Sequence, residues 1–250
     1  MRFDFDTFGV LYIFAIPFVL QPFLSCWMTP NVNDDTVNGF VDEKFAKVLE
    51  AFRGIQEFFD QEIAEPYDLD ISIGIRDKSE VPYLTRLTTP SIWEFARDII
   101  KDPKILIMLC LMYDTMVLND PEIVSLPLPA VTGIGSAPDI AKLMSLVVEN
   151  QIISNSTLKI LSQPTLNSWH LEKVTIWPVI KGHGFFYEKH PLVPDAYTFG
   201  HPGYGGQFVH MDPVSELAIV YLANGLKTGT GELCATYMRL LKETYNSIRI

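Results

Sequence analysis

Glycine-punctuated aromatic runs in the last third of the chain set the tightest limit on its fold. Lys181-Gly182-His183-Gly184-Phe185-Phe186-Tyr187 is followed by Phe199-Gly200-His201-Pro202-Gly203-Tyr204-Gly205-Gly206. Two strand-like stretches come next, Gln207–Met211 and Leu217–Leu222, parted by Asp212-Pro213 and a polar turn. Closely spaced glycines interrupt helices, while aromatic and alternating apolar runs fit a pleated surface. The spacing predicts an antiparallel meander with Phe199–Gly203 as its first strand. Leu217–Leu222 is apolar on both faces and reads as a central strand covered by helices. Thr230 to Ile248 reads as a closing helix with Leu233, Tyr237, Leu240, Leu241 and Tyr245 on its buried stripe.

Upstream the texture is helical. Val37, Phe40, Val41, Phe45, Val48, Leu49, Phe52 and Ile55 recur at spacings of three and four, which predicts an amphipathic helix stopped at Gly54. A second helical turn from Ile55 to Ile63 closes before Pro66. Asp70 to Ile75 alternates and reads as a short strand. Pro90 to Leu118 carries helical spacing with a break near Asp102-Pro103, and Pro121–Pro129 reads as loop. Ser136-Ala137-Pro138-Asp139 places a hydroxyl three residues before a carboxylate, a helix cap, with Ile140, Leu143, Met144 and Val147 on one face behind it. A short helix follows from Ser156 to Leu161. Helices first, then a meander and a helix, give an α+β class.

Hydrophobic residues make up 48% of the 250 and charged residues 20%, enough to build a core and too apolar for wholesale disorder. The net charge of −11 argues against a nucleic-acid partner, which needs surplus Lys and Arg, and against a basic transit peptide. From Thr7 to Asn33 no residue is charged, and Phe8 to Phe23 is almost wholly apolar. Residues 1–33 therefore read as an apolar leader ahead of a domain over 34–250. A signal peptide fits its length, although the start is not basic and no small-residue cleavage site follows. A membrane anchor contacting lipid through residues 8–24 fits its hydropathy and Trp27, although Pro17 and Pro22 would kink it. A buried core segment is the third reading. The expected location is membrane-anchored or secreted, with a cytoplasmic one as the alternative.

Other constellations carry less chemistry. Cys26, Cys110 and Cys234 have no C-x-x-C spacing, and Cys110 and Cys234 read as buried thiols. The five histidines fall between 170 and 210 at spacings that make no ligand pair on one element, so they read as ordinary loop polarity. Gly203-Tyr204-Gly205-Gly206 is not a phosphate loop, because no Lys-Ser/Thr closes it and no helix follows. Glu62, Glu65, Asp68 and Asp70 read as solvated surface. Asn155-Ser156-Thr157 is a glycosylation sequon at Asn155, meaningful if the chain is exported.

The order Gly133-Ile134-Gly135-Ser136-Ala137-Pro138-Asp139-Ile140-Ala141, Gly182-His183-Gly184-Phe185, Gly200-His201-Pro202-Gly203-Tyr204-Gly205-Gly206, Asp212-Pro213 and Leu217–Gly225 resembles the serine β-lactamase-related family. That family holds class C β-lactamases, D-alanyl-D-alanine peptidases, related esterases and animal lactamase-like proteins. Phe59-x-x-x-Ile63 with Glu65-Pro66-x-x-Leu69 is similar to the segment after the family's second-motif helix. The resemblance runs from about residue 37 to 248, the family's C-terminal portion. It implies a β-lactamase/transpeptidase-like fold, present here in part.

The resemblance also implies acyl transfer without a cofactor. A Ser-x-x-Lys supplies the nucleophile, a Tyr-x-Asn relays protons, and a third motif, Lys-Thr-Gly or His-x-Gly, borders the oxyanion hole. His201-Pro202-Gly203 matches the third motif. His201 and Gly203 are thus the implied catalytic remnant, and His201, Tyr204 and Asn38 the implied substrate contacts. Lys227-Thr228-Gly229 also spells the motif, but its place after the last strand makes it a loop. The only Ser-x-x-Lys, Ser156-Thr157-Leu158-Lys159, falls where the family has a surface helix. No Tyr lies between Tyr12 and Tyr67, so Asn38 alone stands near the second motif. Two functions follow. One is a non-catalytic member that binds a small carboxylate or peptide-like ligand, favoured by the missing motifs. The other is an active serine hydrolase whose nucleophile comes from an unrecognised or missing segment.

Overall fold

The computed structural model describes residues 54–75, 77–105, 118–171 and 178–248. The apolar leader, the helix expected over 37–52, Asn38, Cys26 and Cys110 lie outside the described residues. Residues 54–59 are helical and run into a π turn, Asp60–Ala64, which ends ahead of Pro66. Gly54 is itself helical, and the helix it was expected to stop lies outside the described residues.

Strand β1 (Ile71–Ile73) pairs antiparallel with β2 (Gly133–Gly135), Ser72 opposite Ile134. Helix α1 (Ile92–Lys101) starts at Ser91 with a capping box, its hydroxyl accepting from the Glu94 amide while Glu94 reaches back to the Ser91 amide. It stops at Asp102, where the sequence put the break. Residues Pro121–Val124, expected as loop, form a helical turn, α2. Asp120 caps it and Pro121 occupies the first helical position, where a missing N–H costs nothing. Helix α3 (Ala137–Val148) opens at Ser136, whose hydroxyl accepts from the Asp139 amide as the sequence predicts. Helix α4 (Asn155–Leu161) is capped by Ser154.

The rest is one six-stranded antiparallel sheet. Its strands are β3 (Leu166–Leu171), β4 (Pro178–Gly182), β5 (Phe185–Lys189), β6 (Tyr197–Pro202), β7 (Phe208–Asp212) and β8 (Leu217–Tyr221), neighbours in chain order. Helix α5 (Ala235–Ile248) closes the chain. It starts later than Thr230, because Gly231–Leu233 first forms a 3₁₀ turn.

The sheet carries a core on each face. Phe208 and Ile219 pack against Cys234, Tyr237, Leu241 and Tyr245 of the α5 side. Phe208 and Tyr237 stack with ring centroids 4.1 Å apart, worth about 1 kcal/mol beyond area burial. On the other face Tyr187, Phe199 and Met211 meet Val148 of α3 and Leu158 of α4. Leu240, expected on the buried stripe of α5, is exposed, since Tyr237, Leu241 and Tyr245 already fill the inward positions.

Strand β8 corrects a second expectation. Helices cover both of its faces, α5 over Ile219 and α3 across the other side, which explains its apolar composition. Yet among the described residues it hydrogen-bonds only to β7 and is the edge of the sheet, not its centre.

Candidate functional site

The glycine-rich end of β6 is where the sequence placed the chemistry. Gly200 lets β6 and β7 approach closely: a Cβ there would lie 2.0 Å from the Val209 carbonyl oxygen. Beyond Gly200 the two edges of β6 part company. The ladder with β7 continues through Pro202, while the ladder with β5 ends at Phe186 opposite Gly200. His201 therefore sits on a strand end whose β5-side edge has no ladder partner among the described residues.

His201 is exposed and lies edge-on to Phe186, centroids 5.1 Å apart. Its Nδ1 is 2.7 Å from the Pro202 carbonyl oxygen. A carbonyl can only accept, so hydrogen-bond logic assigns the proton of the neutral ring to Nδ1 and leaves Nε2 as an outward acceptor. A hydroxyl can donate to that nitrogen; a carboxylate can be held there only by the protonated ring.

Gly203 donates its N–H to the Gln207 carbonyl, 2.7 Å away, so this amide closes the hairpin instead of facing a ligand. Tyr204 follows, half-buried, in the turn Tyr204–Gly206. Gly205 and Gly206 adopt left-handed φ of 68° and 87°, open to glycine at no steric cost. A Cβ at Gly205 would meet Leu226, and one at Gly206 would meet Cys234 Sγ at 2.8 Å.

Lys227-Thr228-Gly229 is the expected loop, but it is not remote. The Lys227 amide donates to the Gly205 carbonyl at 2.8 Å, binding the loop to the glycine turn. Thr228 is buried and donates to Asp98 of α1 at 2.8 Å. Sequence reading also missed Gln207, whose side-chain amide brackets Ala223, donating to its carbonyl and accepting from its N–H.

Ser156 and Lys159 sit exposed on α4. The Ser156 hydroxyl bonds that of Ser154 at 2.8 Å, and no hydrogen bond joins Ser156 to Lys159 among the described residues. Asn155, the sequon residue, is exposed at the first position of the same helix.

The largest unforeseen feature lies under α5. Asp212, fully buried, accepts from the Val214 and Ser215 amides on Oδ1, and from His190 Nε2 and the Tyr245 hydroxyl, each at 2.8 Å, on Oδ2. His190 Nδ1 accepts from the Leu192 and Val193 amides, so its proton must be on Nε2. Tyr245 gives its proton to Asp212 and so accepts from His210 Nε2, which leaves His210 Nδ1 to accept from Tyr237. The donors all run one way, Tyr237 to His210 to Tyr245 to Asp212.

Burial works to raise the Asp212 carboxyl, but the Ser215 hydroxyl and amide, Tyr245 and His190 outweigh it and hold it below the usual carboxylate range. Burial pushes His210 down to about 4, with His190 adding and Asp212 opposing. Burial, together with Asp212, drives the Tyr245 phenol well above its ordinary range. This is a structural network. Ser215 lies 3.1 Å from the same His190 nitrogen that serves Asp212, and Nδ1 is occupied, so His190 cannot take a proton from Ser215 on one nitrogen while Asp212 orients the other, as a catalytic triad requires. The sequence clue was His210-x-Asp212, one strand face at spacing two.

Two clefts remain. One of about 260 Å³ is lined by His190 and Val193–Tyr197, and one of about 510 Å³ by Asp60, Glu65, Asp68, Asp70 and Glu80. His201 lines neither. Among the described residues no group of three or more His, Cys, Asp or Glu is arranged to hold a metal ion, and no helix is long and apolar enough to cross a membrane.

Comparison with known proteins bears on the whole of this architecture. The family model described as Beta-lactamase matches residues 42–243. No curated protein sequence matches. Among solved structures, a novel penicillin-binding protein homologue from Caulobacter crescentus is 22% identical, with TM-score 0.53 over 70% of this chain and 48% of that one. A family VIII carboxylesterase is 21% identical, with TM-score 0.61 over 77% and 51%. EstA from Arthrobacter nitroguajacolicus Rue61a is 20% identical, with TM-score 0.57 over 78% and 55%. The chain spans about half the length of these structures, and they establish a shared β-lactamase/transpeptidase-like fold.

Proposed function

Since this chain belongs to the β-lactamase family, we propose that it is a non-acylating member that binds a small carboxylate or peptide-like ligand at the His201 end of β6. The observation that carries this reading is the state of the sole Ser-x-x-Lys. Ser156 is tied to Ser154 on an exposed helix, and Lys159 makes no bond to it, so neither is activated as nucleophile and base. The ligand half of the reading rests on β6: an exposed imidazole on a strand end whose β5-side edge has no ladder partner among the described residues. Tyr204 follows directly and completes the candidate contacts; Asn38 is a further candidate from the sequence.

The imidazole of His201 is the polar group at this strand end that can hydrogen-bond a ligand. An acetylated peptide carboxylate should therefore bind the wild type more tightly than His201→Ala. Equal binding by the two proteins removes His201 from the functional account. A fluorophosphonate or penicillin-type label tests the other half. Labelling of the native chain above a denatured control would replace this reading with an active serine hydrolase.

A further inference from the structure

Helix α1 turns an apolar stripe to solvent. Ile92, Trp93 and Ile100 are 75%, 81% and 82% exposed. Ile92, Ala96 and Ile100 recur every four residues and so share one face, with Trp93 beside them. Phe95, Asp98 and Ile99 are the less exposed side of the helix, and Asp98 is held by the Thr228 hydroxyl at 2.8 Å. The Ser91 capping box fixes the other end. Among the described residues the stripe therefore faces outward on a pinned helix, and exposed apolar surface of this kind marks a contact.

We propose that this face lies on a zwitterionic phospholipid bilayer, with Trp93 at headgroup level and Ile92 and Ile100 below. Three features favour lipid. Trp, with an apolar ring and a polar tip, suits the membrane interface, and Lys101, exposed beside the stripe, can extend its cation to the phosphates, while Arg97 is paired with Asp98. The helix carries Glu94 and Asp98 against Arg97 and Lys101, so it is locally neutral, and the chain's −11 charge opposes an anionic surface. The same chain carries an uncharged run from Thr7 to Asn33, a second element of membrane character. A second copy fits less well. Three large side chains offer on the order of 400 Å², below the roughly 800 Å² per partner of a stable interface. The proposal is independent of ligand binding at His201.

The test is flotation of the full chain with phosphatidylcholine vesicles, wild type against the double variant Trp93→Ser, Ile100→Ser. The expected result is a partition coefficient at least tenfold lower in the variant. Equal partitioning assigns membrane contact to the apolar run alone and overturns the proposal. So does a lipid-independent dimer that the double variant abolishes on size-exclusion chromatography. Quenching of tryptophan fluorescence by brominated phosphatidylcholine gives a measurement that does not need the double variant. The wild type should be quenched more than Trp93→Phe, and equal fractional quenching also overturns the proposal.

Discussion

Replacing Asp212 by asparagine changes almost no volume but leaves the buried hydrogen-bond network without a complete solution. The carboxylate accepts at two oxygens from at least four donors. An amide NH₂ placed at the Oδ1 position would face the Val214 and Ser215 amides, which cannot reverse. Placed at the Oδ2 position it meets Tyr245 and His190. Tyr245 can adapt, by turning its hydroxyl toward His210 Nε2, provided His210 moves its proton to Nδ1 and Tyr237 becomes the acceptor. His190 cannot, because the Leu192 and Val193 amides hold its Nδ1 as an acceptor, 3.0 and 2.9 Å away.

The His190 Nε2–H must then rely on Ser215 Oγ, 3.1 Å away, and one hydrogen of the substituted side-chain amide stays without an acceptor. Losing one charge-assisted bond and stranding one buried donor costs about 3 kcal/mol. With a urea slope of about 2 kcal/mol/M for unfolding, the midpoint should fall by about 1.5 M at pH 7. The Asp212 carboxyl is held low in the folded chain, so its stabilisation is present above the ordinary Asp value of about 3.9 and is lost as pH falls through the folded value. The gap between wild type and Asp212→Asn should accordingly shrink in strong acid. A loss below about 1 kcal/mol at pH 7, or a gap independent of pH, would refute the one-way donor assignment.

His210 gives the second expectation. The unfolded chain takes up this proton near pH 6.5 and the folded chain refuses it until about 4, so the unfolded state binds more protons between those values. Stability should fall by about 3 kcal/mol on acidification across that window, and urea midpoints measured against pH should lose most of that slope in His210→Leu. Gly200→Ala is the third: the three atoms nearest its Cβ would all be Val209 or His210 backbone, the closest at 2.0 Å, so β6 and β7 must separate. A loss of about 3 kcal/mol in urea unfolding is expected, and a loss under about 1 kcal/mol would show that the strands can shift at little cost.

Features that depend on neighbours in sequence were legible before the fold was known. Ser136 three residues before Asp139 marks a cap wherever the helix packs, and Gly205-Gly206 before an alternating run marks a turn into a strand. The burial of Tyr237, Leu241 and Tyr245 follows from helical spacing alone. Leu240 does not, because spacing gives a stripe without its width, and the width is set by how the sheet meets α5. The third-motif residues His201 and Gly203 were likewise found from their string, but their roles diverge in space. Gly203 spends its N–H on the hairpin, while His201 is turned out with Nε2 free to accept.

What the sequence determined by itself is therefore the α+β class, the meander and its closing helix, and the family resemblance. Tertiary structure alone decided the rest. Apolarity on both faces of Leu217–Tyr221 records that helices lie above and below it, but ladder bonds use backbone groups that every residue shares, so composition cannot distinguish an edge from a centre. His190, His210, Asp212, Tyr237 and Tyr245 look like scattered polarity because up to 35 residues separate bonded pairs. They form one network only because strand pairing and α5 bury them together, where each buried donor must find an acceptor.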